Sequence, residues 1–230
     1  MVKVISHKRL TSLGYPHITF LRIDPEDISI TIRDIIEHFQ DISWINRFDE
    51  DYIKLSFSAR TTRTVENLKT RLESGSQDTI TTEVGETVVS ELSRSAIISE
   101  LGHSDIPLAE FIKQKIAGNP GFDFFSEMNG KYIIFGEAKY VKDTNAYGKA
   151  MKQVDKFITE ERDKSDLLDI RDFVTKESLN NAALGSRAFA CGFSSTKIDD
   201  DTLISNITKN KYFQTLSQHI EVIYIAINTF

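Results

Sequence analysis

Residues 120–139 read PGFDFFSEMNGKYIIFGEAK, two runs of β-forming residues separated by Asn129-Gly130. Asn-Gly suits the positive φ angles of a two-residue hairpin loop, so Phe122–Met128 and Tyr132–Val141 are expected to be adjacent antiparallel strands. The second run places Ile133, Ile134 and Phe135 before Glu137-Ala138-Lys139. Charges thus fall on a strand that otherwise reads as buried, where they seldom sit without a role. Side chains alternate along a strand, so Glu137 and Lys139 share one face. Gly136 and Ala138 are small and share the other, where a helix could pack closely. Asp123 lies on the partner strand across the turn.

The neighbouring elements fix the expected fold class. Before the hairpin, Gly85–Leu101 carries Val88, Val89, Leu92, Ala96 and Ile97 at helical spacing, with Gly102 placed to cap it. A second helix is expected over Pro107–Ile116, stopped by Gly118-Asn119-Pro120. After the hairpin come a helix over Ala146–Glu161, a strand at Arg187–Ser194, a helix from Thr202 and a strand at Ile220–Ile227. This order implies an α/β protein whose mixed central sheet is flanked by helices. Upstream, the spacing suggests a strand at His17–Ile23, a helix at Ile30–Phe39, a strand at Tyr52–Phe57 and a helix at Thr61–Leu72. The polar stretch Ser74–Asp78 is the best internal break. It divides an N-terminal α/β region, residues 1–76, from a domain over residues 77–230, although both halves could share one core.

Composition removes several classes of function. A hydrophobic fraction of 40% and 27% charged residues describe a globular chain, not a disordered one. Cys191 is the single cysteine, which excludes an internal disulfide and fits a reducing, cytoplasmic setting. Its place in an apolar strand makes it an inert core thiol. The longest apolar run, Val222–Ile227, is too short to span a bilayer, and the N-terminus lacks a signal-peptide core. The five histidines show no metal-ligand spacing, and the chain holds neither a phosphate-binding Gly-rich loop nor a helicase motor motif. Any ATP-driven step would belong to a partner. The net charge of −6 at first speaks against a nucleic-acid partner. Charge distribution matters more: Lys131 to Lys156 holds six lysines against three acids. A solvated helix face would also account for that run.

The chemistry concentrates on the hairpin. Asp123 and Glu137, on adjacent strands, can converge on one Mg²⁺, with Mn²⁺ able to substitute, and the Ala138 carbonyl could add an oxygen ligand. Lys139 could hold or help deprotonate an attacking water, or stabilise charge on a phosphate. The blander possibility is a cross-strand Glu–Lys surface pair. On the helix after the hairpin, Lys149, Lys152, Gln153 and Lys156 share a face opposite the apolar one, suited to a phosphate backbone.

These residues resemble the PD-(D/E)XK, or restriction-endonuclease-like, nuclease superfamily. Pro120-Gly121-Phe122-Asp123 stands for the first half of its motif and Glu137-Ala138-Lys139 for the second, over about residues 85–195. The resemblance implies a restriction-endonuclease-like core with residues 1–76 as an N-terminal extension. It also implies an acid from the preceding helix. Among Glu86, Glu91 and Glu100, Glu86 is the choice, because it lies at the edge of the apolar face in the first turn. Glu91 is expected to point to solvent, and Glu100 lies at the far end. An N-terminal acid favoured by the helix dipole is the alternative account of Glu86. The Gln-centred motif of the superfamily is loosely matched by Gln153 with Phe157.

A closer likeness is to the HamA family, carried by Val84-Gly85-Glu86, Leu108-Ala109 with Lys113 downstream, Gly121-Phe122-Asp123 and Phe135–Tyr140, followed by Ala146–Phe157. HamA proteins are the nuclease subunits of the Hachiman anti-phage system and work beside a HamB helicase. This resemblance implies a Mg²⁺-dependent DNA nuclease restrained by a HamB-like helicase partner, with no part for a membrane. The alternatives are a stand-alone restriction endonuclease or junction resolvase, and a DNA-binding or regulatory module with a vestigial site. The intact Asp123, Glu137 and Lys139 argue against decay.

Overall fold

The computed structural model describes residues 3–74, 80–113 and 121–228. Their centre is a seven-stranded mixed sheet. From edge to edge it runs β1 (Val4–Leu10), β2 (Tyr15–Ile23), β7 (Glu221–Asn228), β6 (Ala188–Ser195), β5 (Tyr132–Lys139), β4 (Phe124–Met128) and β3 (Ser104–Asp105). β2, β7, β6 and β5 are mutually parallel, and antiparallel strands close both edges. Parallel strands need cover on both faces, and β6 and β7 are buried at every position, which is why Val222–Ile227 is continuously apolar. The sheet thus has the α/β, helix-flanked form that the order of elements implied.

Helix α3 (Thr82–Leu101) covers one face. A Cβ on Gly192 of β6 would lie 2.2 Å from Ser93 Oγ of α3, so the backbones approach closely there. On the other face, Phe157 and Tyr147 of α5 (Tyr147–Thr159) pack on Phe122 and Phe193. The four-residue helix Phe213–Leu216 sets Phe213 against Tyr224. Phe135 and Phe189 join this cluster from β5 and β6, which settles the pleat: Glu137 and Lys139 follow Phe135 on the α5 side. Gly136 points the other way. The ring of Phe124 on the neighbouring strand, not a helix, fills the space above it.

The β4–β5 turn forms as Asn-Gly requires, with φ of 55° at Asn129 and 67° at Gly130. Gly102 ends α3 in the left-handed conformation and donates to Ile98 O. Strands from both sides of residue 76 share the sheet, because β2 pairs in parallel with β7 from Ile18–Val222 to Ile23–Ile227. The proposed helix stop at 118–120 and nearly all of the polar break at 74–78 lie outside the described residues. Among the described residues, no helix is long and apolar enough to cross a membrane.

Three expectations need correction. Tyr52–Phe57 is not a strand; it forms the first turns of α2 (Asp51–Ser74). Phe57, Thr61, Leu68 and Leu72 are its buried positions, a spacing only a helix produces, while Tyr52 and Leu55 are 72% and 71% exposed. The helix expected over Pro107–Ile116 is confined, among the described residues, to α4 (Ala109–Ile112). Glu91 does not face solvent. Helix α1 (Ile28–Gln40) packs on the outer side of α3, leaving Glu91 3% exposed and paired with Arg94 at 2.7 Å, with His38 of α1 at 3.6 Å.

Candidate active site

The site forms where β4 meets β5. Beyond the Phe124–Gly136 pair, Asp123 still donates its N–H to Gly136 O (2.9 Å), which extends the ladder by one residue. Asp123 Oδ2 accepts the Ala138 N–H at 2.8 Å, so its carboxylate is drawn towards the β5 backbone beside Glu137. Glu137 is 2% exposed. Its Oε1 lies 2.7 Å from Lys139 Nζ, whereas Oε2 is buried without a hydrogen-bond partner among the described residues. Lys139 Nζ also lies 3.3 Å from Glu86 Oε1.

Glu86 reaches this point from the opposite layer because α3 begins very close to β5. A Cβ on Gly85 would lie 2.2 Å from the ring of Tyr140, so only glycine lets this first turn rest on that ring. The structure therefore brings Asp123, Glu137, Lys139 and Glu86 together. Ala138 is fully buried between Glu137 and Lys139, its N–H already given to Asp123.

Three carboxylates on one ammonium leave an excess of negative charge. Burial, with Glu86 and Glu110 adding repulsion, pushes the Asp123 carboxyl up to about 6 in spite of Lys139 and the Ala138 N–H. Burial and the neighbouring Asp123 push Glu137 well above the usual carboxylate range. Burial would lower Lys139, but Glu137, Asp123 and Glu86 outweigh it and hold the ammonium above its ordinary range. The group is short of positive charge, and it holds a buried oxygen with no partner.

Among the described residues, no group of three or more His, Cys, Asp or Glu side chains is arranged to hold a metal ion. The donors here are fewer, the two carboxylates of Asp123 and Glu137. That number fits Mg²⁺, which keeps several waters and takes one or two carboxylates together with phosphate oxygens. The partnerless Glu137 Oε2 and the raised carboxyls are what a cation would relieve.

Lys149, Lys152 and Lys156 are exposed on α5 and Gln153 is half-buried. Lys156 pairs with Glu160 at 3.7 Å. Among the described residues, no ion pair or hydrogen bond joins these four to the carboxylate group.

Three further residues border the site and were not singled out from sequence as part of it. Lys113 Nζ lies 2.7 Å from Asp166 Oδ1, and Asp166 Oδ2 accepts the Phe122 N–H at 3.1 Å. Asp166, on helix α6 (Arg162–Ile170), thus fixes the segment leading into Asp123. Glu110 of α4 stands near enough to repel Asp123. Lys113 stood in a family-like string, but nothing local in the sequence ties it to an acid more than fifty residues away. Cys191 is fully buried, as expected. No family model, curated protein or solved structure matches the chain.

Proposed function

We propose that the protein is a Mg²⁺-dependent nuclease that hydrolyses DNA phosphodiester bonds. The observation that carries this reading is the convergence of Asp123, Glu137, Lys139 and Glu86 at one end of the β4–β5 hairpin, with more carboxylate than the local cation can balance. Asp123 and Glu137 would hold the ion, and the carbonyl of Ala138 remains a possible further donor. Bound there, the ion would polarise a phosphate oxygen and lower the pKa of a bound water.

The chain's own residues then take distinct parts. Lys139 stays protonated at neutral pH because three carboxylates surround it, so it acts as a donor and a positive charge, not as a base. It would orient the attacking water or a non-bridging phosphate oxygen. Glu86 holds that ammonium from the side opposite Glu137. Asp166 and the Ala138 N–H hold the Asp123 segment so that its carboxylate faces Glu137.

The PD-(D/E)XK and HamA resemblances agree with this reading and extend it to anti-phage defence beside a HamB-like helicase. Plasmid and linear DNA, incubated with Mg²⁺ and with EDTA, test the activity. Cleavage should require Mg²⁺ and disappear in Glu137→Gln, which removes a ligand charge but little volume. A well-folded Glu137→Gln that cuts at the wild-type rate would sink the assignment. Co-purification with a superfamily 2 helicase encoded alongside would test the partner.

A further inference from the structure

Helix α2 carries a second set of charges, on a groove shared with Glu110 and Lys113. Its positions 60, 63, 64, 67 and 71 stand at i, i+3, i+4, i+7 and i+11 and so form one stripe. With Glu110, Phe111 and Lys113, that stripe lines an open groove of about 570 Å³. Four of the lining side chains are cations, Arg60, Arg63, Arg71 and Lys113, and one is an acid. Such a concentration is unexpected in a chain of net charge −6.

The inner end of the groove adjoins the segment that leads into Asp123. Ala109, at the start of α4, donates its N–H to Asp123 O at 3.0 Å. Lys113 Nζ sits 1.9 Å from where a Cβ on Gly121 would be, two residues before Asp123. At this inner end the cations are held in place: Lys113 by Asp166 at 2.7 Å, Arg71 by Glu110 at 3.6 Å and Glu83 at 3.5 Å. Farther out, Arg60 and Arg63 are exposed. Among the described residues, no ion pair engages either of them. Eleven helical steps lead from Arg60 to Arg71, about 16 Å at 1.5 Å per residue. At 3.4 Å per nucleotide along a strand, that is a path of about five nucleotides.

We infer that this groove is a phosphate track, holding the DNA strand that leads away from the scissile bond. The inference rests on the nuclease reading for its position relative to the cut. Arg60 and Arg63 contact the backbone; Arg71 and Lys113, fixed by their acids, shape the inner end. Guanidinium groups suit this work because their fork of donors matches phosphate oxygens. The stripe gives residues 1–76 a part in substrate binding, beyond their two strands in the sheet.

Fluorescence anisotropy tests it, using the full chain in EDTA with a labelled 20-nucleotide single strand and its duplex over a range of salt. Arg60→Glu with Arg63→Glu should weaken binding about tenfold or more at low salt. It should also lower the log–log salt slope by about two, since about 0.9 counterions are released per duplex phosphate neutralised. Arg60→Gln with Arg63→Gln should show a smaller loss in the same direction, and it decides the matter if charge reversal alters the thermal melt. Wild-type affinity and slope in the folded Gln pair would overturn the track, as would a wild-type chain that binds neither DNA. Mg²⁺-dependent plasmid cleavage, measured in parallel, separates the two claims. Cleavage with unaltered variant binding removes the track alone. Weakened variant binding without wild-type cleavage keeps the groove as a DNA site and removes the nuclease reading.

Discussion

Asp123→Asn should stabilise the metal-free protein at neutral pH. Burial pushes the wild-type carboxyl up to about 6 in the fold, against 3.8 when unperturbed. At about 1.36 kcal/mol per unit, ionised Asp123 lowers stability at pH 7 by about 3 kcal/mol. Asn has the same shape, and its carbonyl can still accept the Ala138 N–H that Oδ2 now accepts at 2.8 Å. The variant therefore loses the penalty and keeps the bond. The sign with pH follows from a folded value that is raised. Between about 4 and 6 the native wild type binds a proton that the unfolded chain does not, so acid relieves the wild type and leaves Asn unaffected. The advantage of the variant should be full at pH 7, shrink by about 1.4 kcal/mol per unit below 6, and vanish near 4. Urea unfolding in EDTA at four or five pH values measures it. Equal stability at pH 7, or a difference that does not change with pH, would refute the electrostatic account of the site. Adding Mg²⁺ should raise the wild-type midpoint and leave that of Asn nearly unmoved, because only a ligand that binds the folded form stabilises it.

The other expectations are simpler. Lys139→Ala should slow cleavage sharply while isothermal titration still detects Mg²⁺ or Mn²⁺ binding, since Lys is no ligand; in EDTA its melt should fall, because a buried Glu137 loses its one close cation. Gly85→Ala would drive a Cβ into the Tyr140 ring, so it should lower stability by about 1–3 kcal/mol and reduce turnover by displacing Glu86, read by unfolding and by plasmid cleavage. Lys149→Glu with Lys152→Glu, in a Glu137→Gln background, should weaken DNA binding for every sequence and flatten its salt dependence; an unchanged salt titration would return α5 to an ordinary solvated face.

What the sequence made legible was local. The Asn129-Gly130 turn, the β-forming runs around it and the helical spacing of Val88, Val89, Leu92 and Ala96 each specify their own backbone, and the structure has them all. What it concealed depends on distant partners. β1 is polar along most of its length and exists because β2 pairs with it. Helix α6 defeats an apolar count, because two of its three buried residues are acids: Asp163, which meets Arg187 at 2.7 Å, and Asp166, which meets Lys113. Tyr52–Phe57 misled for the converse reason. A six-residue alternation imitates a strand, and only the longer spacing through Leu72 shows the helix.

The same contrast explains why the site stands apart from the other buried charges. Glu91 has Arg94, Asp163 has Arg187, Asp166 has Lys113 and Glu221 has Arg9 within 3.2 Å, and buried Glu127 accepts the Thr175 N–H and the Ser178 hydroxyl. Folding alone accounts for such pairs, since an unpaired buried charge is expensive and a pair is tolerable. It does not account for Asp123, Glu137 and Glu86 gathered around the single ammonium of Lys139. Replacing one of them by its amide would relieve the repulsion at little loss of packing, as Asp123→Asn is expected to show. On the proposed nuclease reading, an arrangement that lowers stability and has so simple a remedy is explained by what it would bind. On that reading, Asp123 and Glu137 would hold the cation, Lys139 would stand beside it, and the basic groove would carry the phosphodiester that the metal serves.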